Sequence, residues 1–291
     1  MPSSGNNASA SASLVPQPSV GIGLRAPHFD DVLTTRPSVA WLEIHAENYF
    51  GGGEPLRYLE AIREHYLLSV HCVGMSLGSV DPLNRAHIEH VNTLIERLQP
   101  GLVSDHLCWG SYAGEYFNDL LPLPYTRDTL DHVVDRVAEA QDLLGRQILV
   151  ENVSSYLEFN DCEMTEWEFL NELAKRAGCG LLLDINNIYV SASNHGFEAN
   201  EFLRSINPEY VQEMHLAGFA TNTIDGREIL IDHHGAPVSE PVWELYEHAC
   251  AHVPDTLTVV ERDTNIPELS ELVAEANRAA RIYARHHALV A

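Results

Sequence analysis

Histidine and acidic residues stand at the ends of short apolar runs along most of this 291-residue chain. Seven runs finish on a residue that can ligate a metal, and they span residues 39–45, 67–71, 102–106, 148–151, 181–184, 211–215 and 257–261. An eighth run, 20–24, precedes them without such a residue. Because the C-terminal ends of parallel barrel strands face one mouth, these side chains are expected to meet there although they are distant in sequence.

The candidate ligands are four imidazoles and four carboxylates, namely His71, His106, His215, His234, Glu151, Asp184, Asp232 and Glu261. Mixed nitrogen and oxygen ligation without thiolate suits iron, manganese or zinc. Eight ligands exceed the roughly four to six that one such ion takes. Two or three ions are therefore expected, with Glu151 and Glu261 as the bridging carboxylates. Burying so many carboxylates together would be strongly unfavourable without cations.

Taken singly, each of these residues has a more ordinary explanation. A lone histidine at a strand end is more often a hydrogen-bonded core residue, and a lone buried carboxylate more often pairs with arginine or a helix N-terminus. Their joint occurrence favours a metal centre. The pair Asp232 and His234 adds to this, because residues i and i+2 of an extended segment point the same way and can hold one ion.

Five further polar residues are predicted to support the centre or to contact substrate, and they are His45, Glu47, Asn48, Asn152 and His195. Asn152 directly follows Glu151 and is expected to orient it. His195 stands in a predicted loop, where a surface role is an equal alternative.

The chain is strongly acidic, with 17 Lys and Arg residues against 42 Asp and Glu residues and a net charge of −25. Such a surface repels nucleic-acid phosphates and anionic lipids. Neither nucleic acid nor a membrane is therefore expected as a partner, and a neutral or basic peptide fits better.

Cysteine usage and the N-terminus indicate a cytoplasmic protein. The five cysteines are odd in number and form no C-x-x-C, so neither a disulfide framework nor a thiolate zinc site is indicated. No apolar stretch reaches the roughly 18 residues of a membrane span. The first residues lack the basic and apolar regions of a signal peptide.

Segments with apolar residues at spacings of three and four predict helices at 55–66, 85–98, 127–144, 165–177, 199–206, 242–252 and 267–288. Their alternation with the apolar runs predicts an α/β fold, a single (β/α)8 TIM barrel over residues 20–291 with the metal site at its C-terminal face. An open doubly wound sheet is the alternative, but no G-x-G-x-x-G follows the first strand. Residues 1–19 are predicted to be a disordered tail, and 108–126 and 188–200 to be long loops that contact substrate.

Eight segments of the chain resemble, in the same order, those of the multinuclear non-haem iron-dependent oxidases, the relatives of the methanobactin-biosynthesis oxidase. The segments are EIHAENYF, HCVGMSLGS, SDHLCW, VENVSSY, LLLDINNIYV, EMHLAGF, IDHHGAPV and VVERD. The resemblance covers about residues 20–285. It implies a TIM barrel of the xylose-isomerase-like superfamily.

The resemblance also implies which residues share an ion. The first ion would be held by His71, His106 and Glu151, the second by Glu151, Asp184, His215 and Glu261, and the third by Asp232, His234 and Asn187. Trinuclear zinc endonucleases of the superfamily carry histidine where Asn187 stands. An amide oxygen is a harder ligand than imidazole and fits iron better than zinc. Two or three iron ions, as Fe2+ or Fe3+, are thus implied ahead of zinc or manganese.

The activity implied by the resemblance is oxidation by O2 at a mixed-valence iron pair, with Glu151, Asp184 and Glu261 as catalytic residues. The substrate would be a cysteine, or sometimes another residue, of a ribosomally made precursor peptide whose leader binds a partner protein. Two other classes stay open on the residues alone. One is a zinc-dependent hydrolase or isomerase on the same barrel, and the other is a non-catalytic, metal-loaded scaffold that binds a peptide.

Overall fold

The structure, a computed structural model, describes residues 19–253 and 255–287. The predicted tail lies outside the described residues except for Ser19. The strands of the described residues, in chain order, are β1 (Val20–Gly23), β2 (Trp41–His45), β3 (Leu67–His71), β4 (Val103–His106), β5 (Trp109–Tyr112), β6 (Glu115–Leu121), β7 (Leu149–Glu151), β8 (Gly180–Asp184), β9 (Val211–Leu216), β10 (Phe219–Ile224), β11 (Arg227–Asp232) and β12 (Leu257–Val260).

Eight of these strands form a closed parallel barrel in the order β1-β12-β9-β8-β7-β4-β3-β2. β1 pairs with both β2 and β12, so the sheet closes on itself and is not the open doubly wound alternative. The predicted (β/α)8 TIM barrel is confirmed. Strands such as β8 are buried along their whole length, as parallel strands covered on both faces should be.

Helices surround the barrel, and the described ones are α1 (Phe29–Thr35), α2 (Gly53–Arg63), α3 (Arg85–Leu98), α4 (Arg127–Leu144), α5 (Glu166–Ala177), α6 (Ile185–His195), α7 (Ala199–Ser205), α8 (Glu240–His252) and α9 (Leu269–His287). Local sequence sets several of their ends. Thr165 and Glu168 form a capping box at the start of α5, which ends at Gly178 with a φ of 66°. Across the described residues, none of these helices is long and apolar enough to span a membrane.

Residues 188–200 do not form the predicted long loop, because α6 extends to His195. The Asp184 carboxylate caps α6 by accepting a hydrogen bond from the Asn187 N–H at 2.6 Å. Ile185, Ile188 and Val190 are buried. Packing against the barrel therefore overrides the weak helix propensity of the Asn and Ser residues in this segment. The short helix α1 was likewise not apparent from the sequence pattern.

Two antiparallel hairpins project from the C-terminal end of the barrel. The predicted loop 108–126 contains β5 and β6, and β10 pairs with β11 in a second hairpin that the sequence pattern did not indicate. Their outward residues are largely exposed, so neither strand pair shows the apolar run by which a buried strand is recognised.

The interior of the barrel carries two polar layers near its C-terminal end, because alternate strand residues point inward. The upper layer contains His45, His71, His106, Glu151, Asp184, His215 and Glu261. The lower layer, two residues earlier on the same strands, contains Glu43, Ser69, Ser104 and Glu213. The upper layer opens onto the barrel mouth, whereas every residue of the lower layer is fully buried.

Candidate metal centre

His71, His106 and Glu151 form one compact group at the ends of β3, β4 and β7. The two Nε2 atoms lie 3.2 Å apart, and each is 3.4 Å from Glu151 Oε2. All three side chains are buried. Donor atoms at these separations can all lie about 2 Å from one ion, which is the usual distance from a transition metal to nitrogen or oxygen ligands.

The second nitrogen of each of these imidazoles faces a hydrogen-bond partner or a carboxylate. His71 Nδ1 is 2.8 Å from the hydroxyl oxygen of Ser104, which belongs to the lower layer. His106 Nδ1 is 3.8 Å from Asp105 Oδ1. Both arrangements leave Nε2 directed at the centre of the group, as ligand histidines require.

A second group surrounds the carboxylates of Asp184 and Glu261. Glu261 Oε2 is 3.2 Å from His215 Nδ1 and 3.2 Å from His234 Nδ1. Glu151, Asp184 and His215 each offer a ligand atom within 4.8 Å of the other two, and so do Asp184, His234 and Glu261. Glu151 therefore belongs to two groups of possible ligands, and its role as a bridge stays a prediction.

Several buried polar atoms of this cluster have no hydrogen-bond partner within the described part of the chain, and they include Glu151 Oε2, Asp184 Oδ2, Asn187 Oδ1 and His215 Nδ1. A buried polar atom without a partner costs on the order of 1–3 kcal/mol, so its presence in a folded core calls for an explanation. Cations coordinated by these oxygen and nitrogen atoms would satisfy them together. The donor set thus fits a metal centre.

The electrostatics of the cluster lead to the same conclusion. Burial raises the pKa of the Glu151 carboxyl to about 7, against the opposing charge of His106. Burial also raises the pKa of Asp184 well above its usual range. For His106, burial lowers the pKa, but the nearby carboxylates of Glu151 and Asp105 outweigh it and raise the value to about 9. Bound cations would replace the protons that these groups hold in the metal-free protein.

Asp232 and His234 come together, although not for the predicted reason. His234 Nε2 is 2.8 Å from Asp232 Oδ1. His234 has a φ of 48°, so the segment turns through the left-handed region and is not extended. Asp232 Oδ1 also accepts a hydrogen bond from Asn186 Nδ2 at 2.8 Å. Of the two residues, His234 is the one grouped with Asp184 and Glu261.

Asn187 lies beside the cluster, and a hydrogen bond fixes the orientation of its side-chain amide. Its Nδ2 donates to the carbonyl oxygen of Asn152 at 3.1 Å, which leaves the buried Oδ1 as a free acceptor. Asn152 itself brackets the backbone of Asp184, accepting from its N–H at 2.9 Å and donating to its carbonyl at 3.1 Å. The contacts of Asn152 therefore position Asp184. The sequence had instead predicted that Asn152 orients Glu151.

The other predicted supporting residues lie at different distances from the cluster. His45 Nε2 is 3.8 Å from Glu261 Oε1. Glu47 lines the mouth but binds His87 Nε2 at 2.8 Å and the Val73 N–H at 3.0 Å, so it anchors a loop. Asn48 is exposed. His195 contacts the carbonyl oxygen of Ser155 at 3.0 Å and does not reach the cluster.

Sequence reasoning missed Arg25 and Asp263. The Arg25 guanidinium forms an ion pair with Asp263, lies 3.4 Å from Glu261 Oε1 and lies 2.9 Å from His45 Nε2. This cation already occupies the space between His45, Glu261 and Asp263, so that trio is a poor fourth metal site. Arg25 stands two residues after β1 and Asp263 three residues after β12, and a charged residue just past the end of a barrel strand is the signal that could have found them.

The cluster opens into a cleft of about 480 Å³ at the barrel mouth. Tyr116 and Phe117 from the first hairpin and Tyr156 from the β7–α5 connection line this cleft. Their side chains are also largely exposed. An aromatic wall beside a polar floor is suited to holding an extended substrate over the cluster.

The barrel resembles solved structures of other TIM barrels. A xylose-isomerase-like TIM barrel protein from Mycobacterium smegmatis matches with a TM-score of 0.59 and 11% identity, covering 89% of this chain and 88% of that one. Endonuclease IV from Thermus thermophilus matches with a TM-score of 0.58 and 17% identity, covering 92% of this chain and 99% of that one. At these identities the likeness shows the fold alone, and the chain is a TIM barrel with a cluster of imidazoles and carboxylates at its mouth.

Sequence comparison then gives the family. The model of the RiPP precursor modification enzyme family MbnB/TglH/ChrH matches residues 19–284, where RiPP denotes a ribosomally synthesised and post-translationally modified peptide. A UPF0276 protein from Vibrio parahaemolyticus is 48% identical over 264 residues, covering 90% of this chain and 92% of the relative. A UPF0276 protein from Acaryochloris marina is 46% identical over 266 residues, covering 91% of this chain and 95% of the relative. The chain belongs to the MbnB/TglH/ChrH family of RiPP precursor modification enzymes, which confirms the resemblance.

Proposed function

We propose that this protein is a multinuclear non-haem iron enzyme that uses O2 to oxidise a cysteine of a ribosomally made precursor peptide. The observation that carries the proposal is the position of Glu151. Its carboxylate is shared by the His71–His106 group and the Asp184–His215 group, in a chain that belongs to a family of precursor-modifying enzymes. A shared carboxylate suits a centre of more than one ion.

The donor chemistry favours iron over zinc. The groups around Glu151 contain imidazole and carboxylate donors and no thiolate among the described residues. The free amide oxygen of Asn187 adds a hard donor to the same cleft. Iron bound here would supply the redox chemistry that links O2 reduction to oxidation of the peptide, which amino-acid side chains do not supply.

We assign each ion to residues on the basis of the groups of possible ligands described above. His71, His106 and Glu151 would hold the first ion. Asp184, His215 and Glu261, with Glu151, would hold the second. His234 and Asp232 with Asn187 would complete a third position, where Asp232 would have to release its hydrogen bond from Asn186. Glu151, Asp184 and Glu261 are the residues we assign to catalysis, because each lies between neighbouring positions.

The rest of the chain would bind and enclose the peptide. The aromatic residues of the cleft would pack on the peptide and exclude water from the reacting cysteine. The net charge of −25 favours a neutral or basic peptide segment. A separate protein that binds the leader would deliver the peptide, since the cleft has room for a few residues only.

The test is an oxygen-uptake assay on protein purified under anaerobic conditions and loaded with ferrous iron. The genes beside this one are first searched for a short cysteine-containing precursor peptide and a leader-binding protein, and these two products serve as the probe. We expect O2 uptake and a mass change confined to the cysteine, and neither with the Cys→Ser peptide or with the Glu151→Gln variant. Iron-independent turnover by the zinc-loaded protein, on this peptide, on abasic DNA or on a ketose, would contradict the proposal.

A further inference from the structure

Strand β1 is the barrel strand for which the sequence predicted no metal ligand, and Arg25 stands two residues after its end. The Arg25 side chain is buried beside the metal centre, with 8% of its surface exposed. A guanidinium carries five hydrogen-bond donors and no acceptor, and it stays charged in proteins. Its contacts therefore show which acceptor atoms Arg25 withholds from a metal ion.

Three residues that could themselves ligate a metal surround the guanidinium. Arg25 Nη2 lies 2.9 Å from His45 Nε2 and donates to Glu261 Oε1 at 3.4 Å. Arg25 Nε donates to Asp263 Oδ1 at 3.0 Å, and Nη2 donates to the same oxygen. His45, Glu261 and Asp263 each offer a ligand atom within 4.8 Å of the other two. Arg25 thus contacts every member of this trio.

The two oxygens of Glu261 have different surroundings as a result. Oε1 accepts the hydrogen bond from Arg25, whereas Oε2 lies 3.2 Å from His215 Nδ1 and 3.2 Å from His234 Nδ1. A carboxylate can bind an ion through one oxygen or through both. The hydrogen bond from Arg25 favours binding through Oε2 alone.

Asp263 extends the influence of Arg25 to a second proposed ligand. Its Oδ1 accepts from Arg25, and its Oδ2 lies 3.1 Å from His234 Nδ1. We propose that Arg25 is a positioning residue that occupies the place of a further metal ion and leaves Glu261 a single oxygen, Oε2, for the metal centre. This inference rests on the proposed metal centre.

The trio has the geometry to take an ion once the guanidinium is gone. His45 Nε2 is 3.8 Å from Glu261 Oε1 and 3.9 Å from Asp263 Oδ1, separations that an ion about 2.1 Å from each atom can span. One imidazole and two carboxylates are a donor set that transition metals accept. Without Arg25, the buried Glu261 would also lose a cation beside it, which is costly. A metal ion should therefore replace the guanidinium.

The experiment counts iron per chain by elemental analysis after loading with ferrous iron under anaerobic conditions. Arg25→Met removes the charge and keeps an unbranched side chain, and Arg25→Lys is the matched control that keeps a cation. A double variant, Arg25→Met with His45→Gln, removes one ligand of the trio as well. We expect Arg25→Met to bind one ion more than wild type. Arg25→Lys and the double variant should bind the same number as wild type.

The second readout locates the additional ion. Anomalous diffraction at the iron edge, from crystals of Arg25→Met grown under anaerobic conditions, should show a peak between His45, Glu261 and Asp263. Wild type and Arg25→Lys should show none at that place. A role of Arg25 in packing alone would not create a metal position.

The outcomes separate the inference from the proposed function. If wild type binds no iron, the metal centre itself is wrong. If wild type binds iron and Arg25→Met gains no ion, the role of Arg25 is wrong while the centre stands. An additional ion that persists in the double variant is not held by the trio and also overturns the inference. Should Arg25→Met not fold, wild-type crystals decide, because iron between His45, Glu261 and Asp263 in wild type contradicts the inference.

Discussion

At the scale of single residues, His71 and His106 show how two adjacent imidazoles can differ in charge. Burial lowers the pKa of His71 well below its usual range, and the nearby His106 lowers it further. His106 has a pKa raised to about 9, because the carboxylates beside it outweigh the effect of burial. The metal-free pair therefore holds one proton at neutral pH. A metal ion can bind only after that proton leaves.

Metal affinity should therefore depend on pH. Raised pKa values mean that His106 and Glu151 hold protons up to about pH 9 and about pH 7, respectively. Raising the pH removes these competitors, so affinity should increase through this window by up to about tenfold per pH unit for each proton released. Isothermal titration with Mn2+ between pH 6 and 9, in buffers of different ionisation enthalpy, counts the protons. An affinity independent of pH would be inconsistent with this view.

The shared position of Glu151 gives a second prediction. Glu151→Gln should lower the metal content by more than one ion per chain, whereas His106→Ala should remove one ion only, because His106 belongs to a single group. Glu47→Gln is the matched control, since Glu47 lines the same cleft but binds His87. Elemental analysis after anaerobic iron loading gives the counts. Equal losses in Glu151→Gln and His106→Ala would show that Glu151 is not a bridge.

At the scale of helices and strands, the elements that position the site divide into those that local pattern predicts and those that packing determines. The bounds of β3, α3 and α4 follow from the sequence, because apolar periodicity and capping residues agree there. Helix α6 does not, because its polar residues are buried only in the finished barrel, and the two hairpins do not, because their outward residues are exposed and form no apolar run. Arg25 was missed because its partners Glu261 and Asp263 lie far from it in sequence.

The base of the barrel offers a prediction at this scale. A Cβ at Gly21 would lie 2.0 Å from Cδ1 of Trp41 and 2.7 Å from the Trp41 carbonyl oxygen, so Gly21 makes room for the adjacent strand. Gly21→Ala should lower the free energy of unfolding by about 1–3 kcal/mol through overpacking. Gly51→Ala is the control, because a Cβ there meets nothing within 4 Å. Urea denaturation of the metal-free proteins measures both, and equal stabilities would disprove the packing argument.

At the scale of the whole molecule, the folded barrel concentrates acidic groups that the metal ions would neutralise. Most of the candidate ligands and their order along the chain were readable from sequence because they end apolar runs, whereas Asp232 and His234 were found by their spacing. The grouping of Asp184 with His234 and Glu261 was not readable in detail, since it depends on a turn at His234 with a φ of 48°. Sequence therefore predicts the centre, and the packing of the barrel mouth decides which ligands face each other.

Metal removal should destabilise the whole barrel. An ion that binds only the folded state at 100 times its dissociation constant adds about 2.7 kcal/mol to the free energy of unfolding. We therefore expect chelator treatment to lower the midpoint of thermal unfolding by several degrees, and expect iron to restore it. Glu151→Gln should respond less to the chelator. Thermal scans by circular dichroism provide the measurement, and identical midpoints with and without iron would be the opposing result.

The most direct test of the metal centre is anomalous X-ray diffraction at the iron edge from crystals grown under anaerobic conditions. Two peaks should appear at the barrel mouth, one bounded by His71, His106 and Glu151 and the other by Asp184, His215 and Glu261, with a third peak beside His234 at full loading. Absence of anomalous density between these side chains, or side chains turned away from one another, would contradict the central claim.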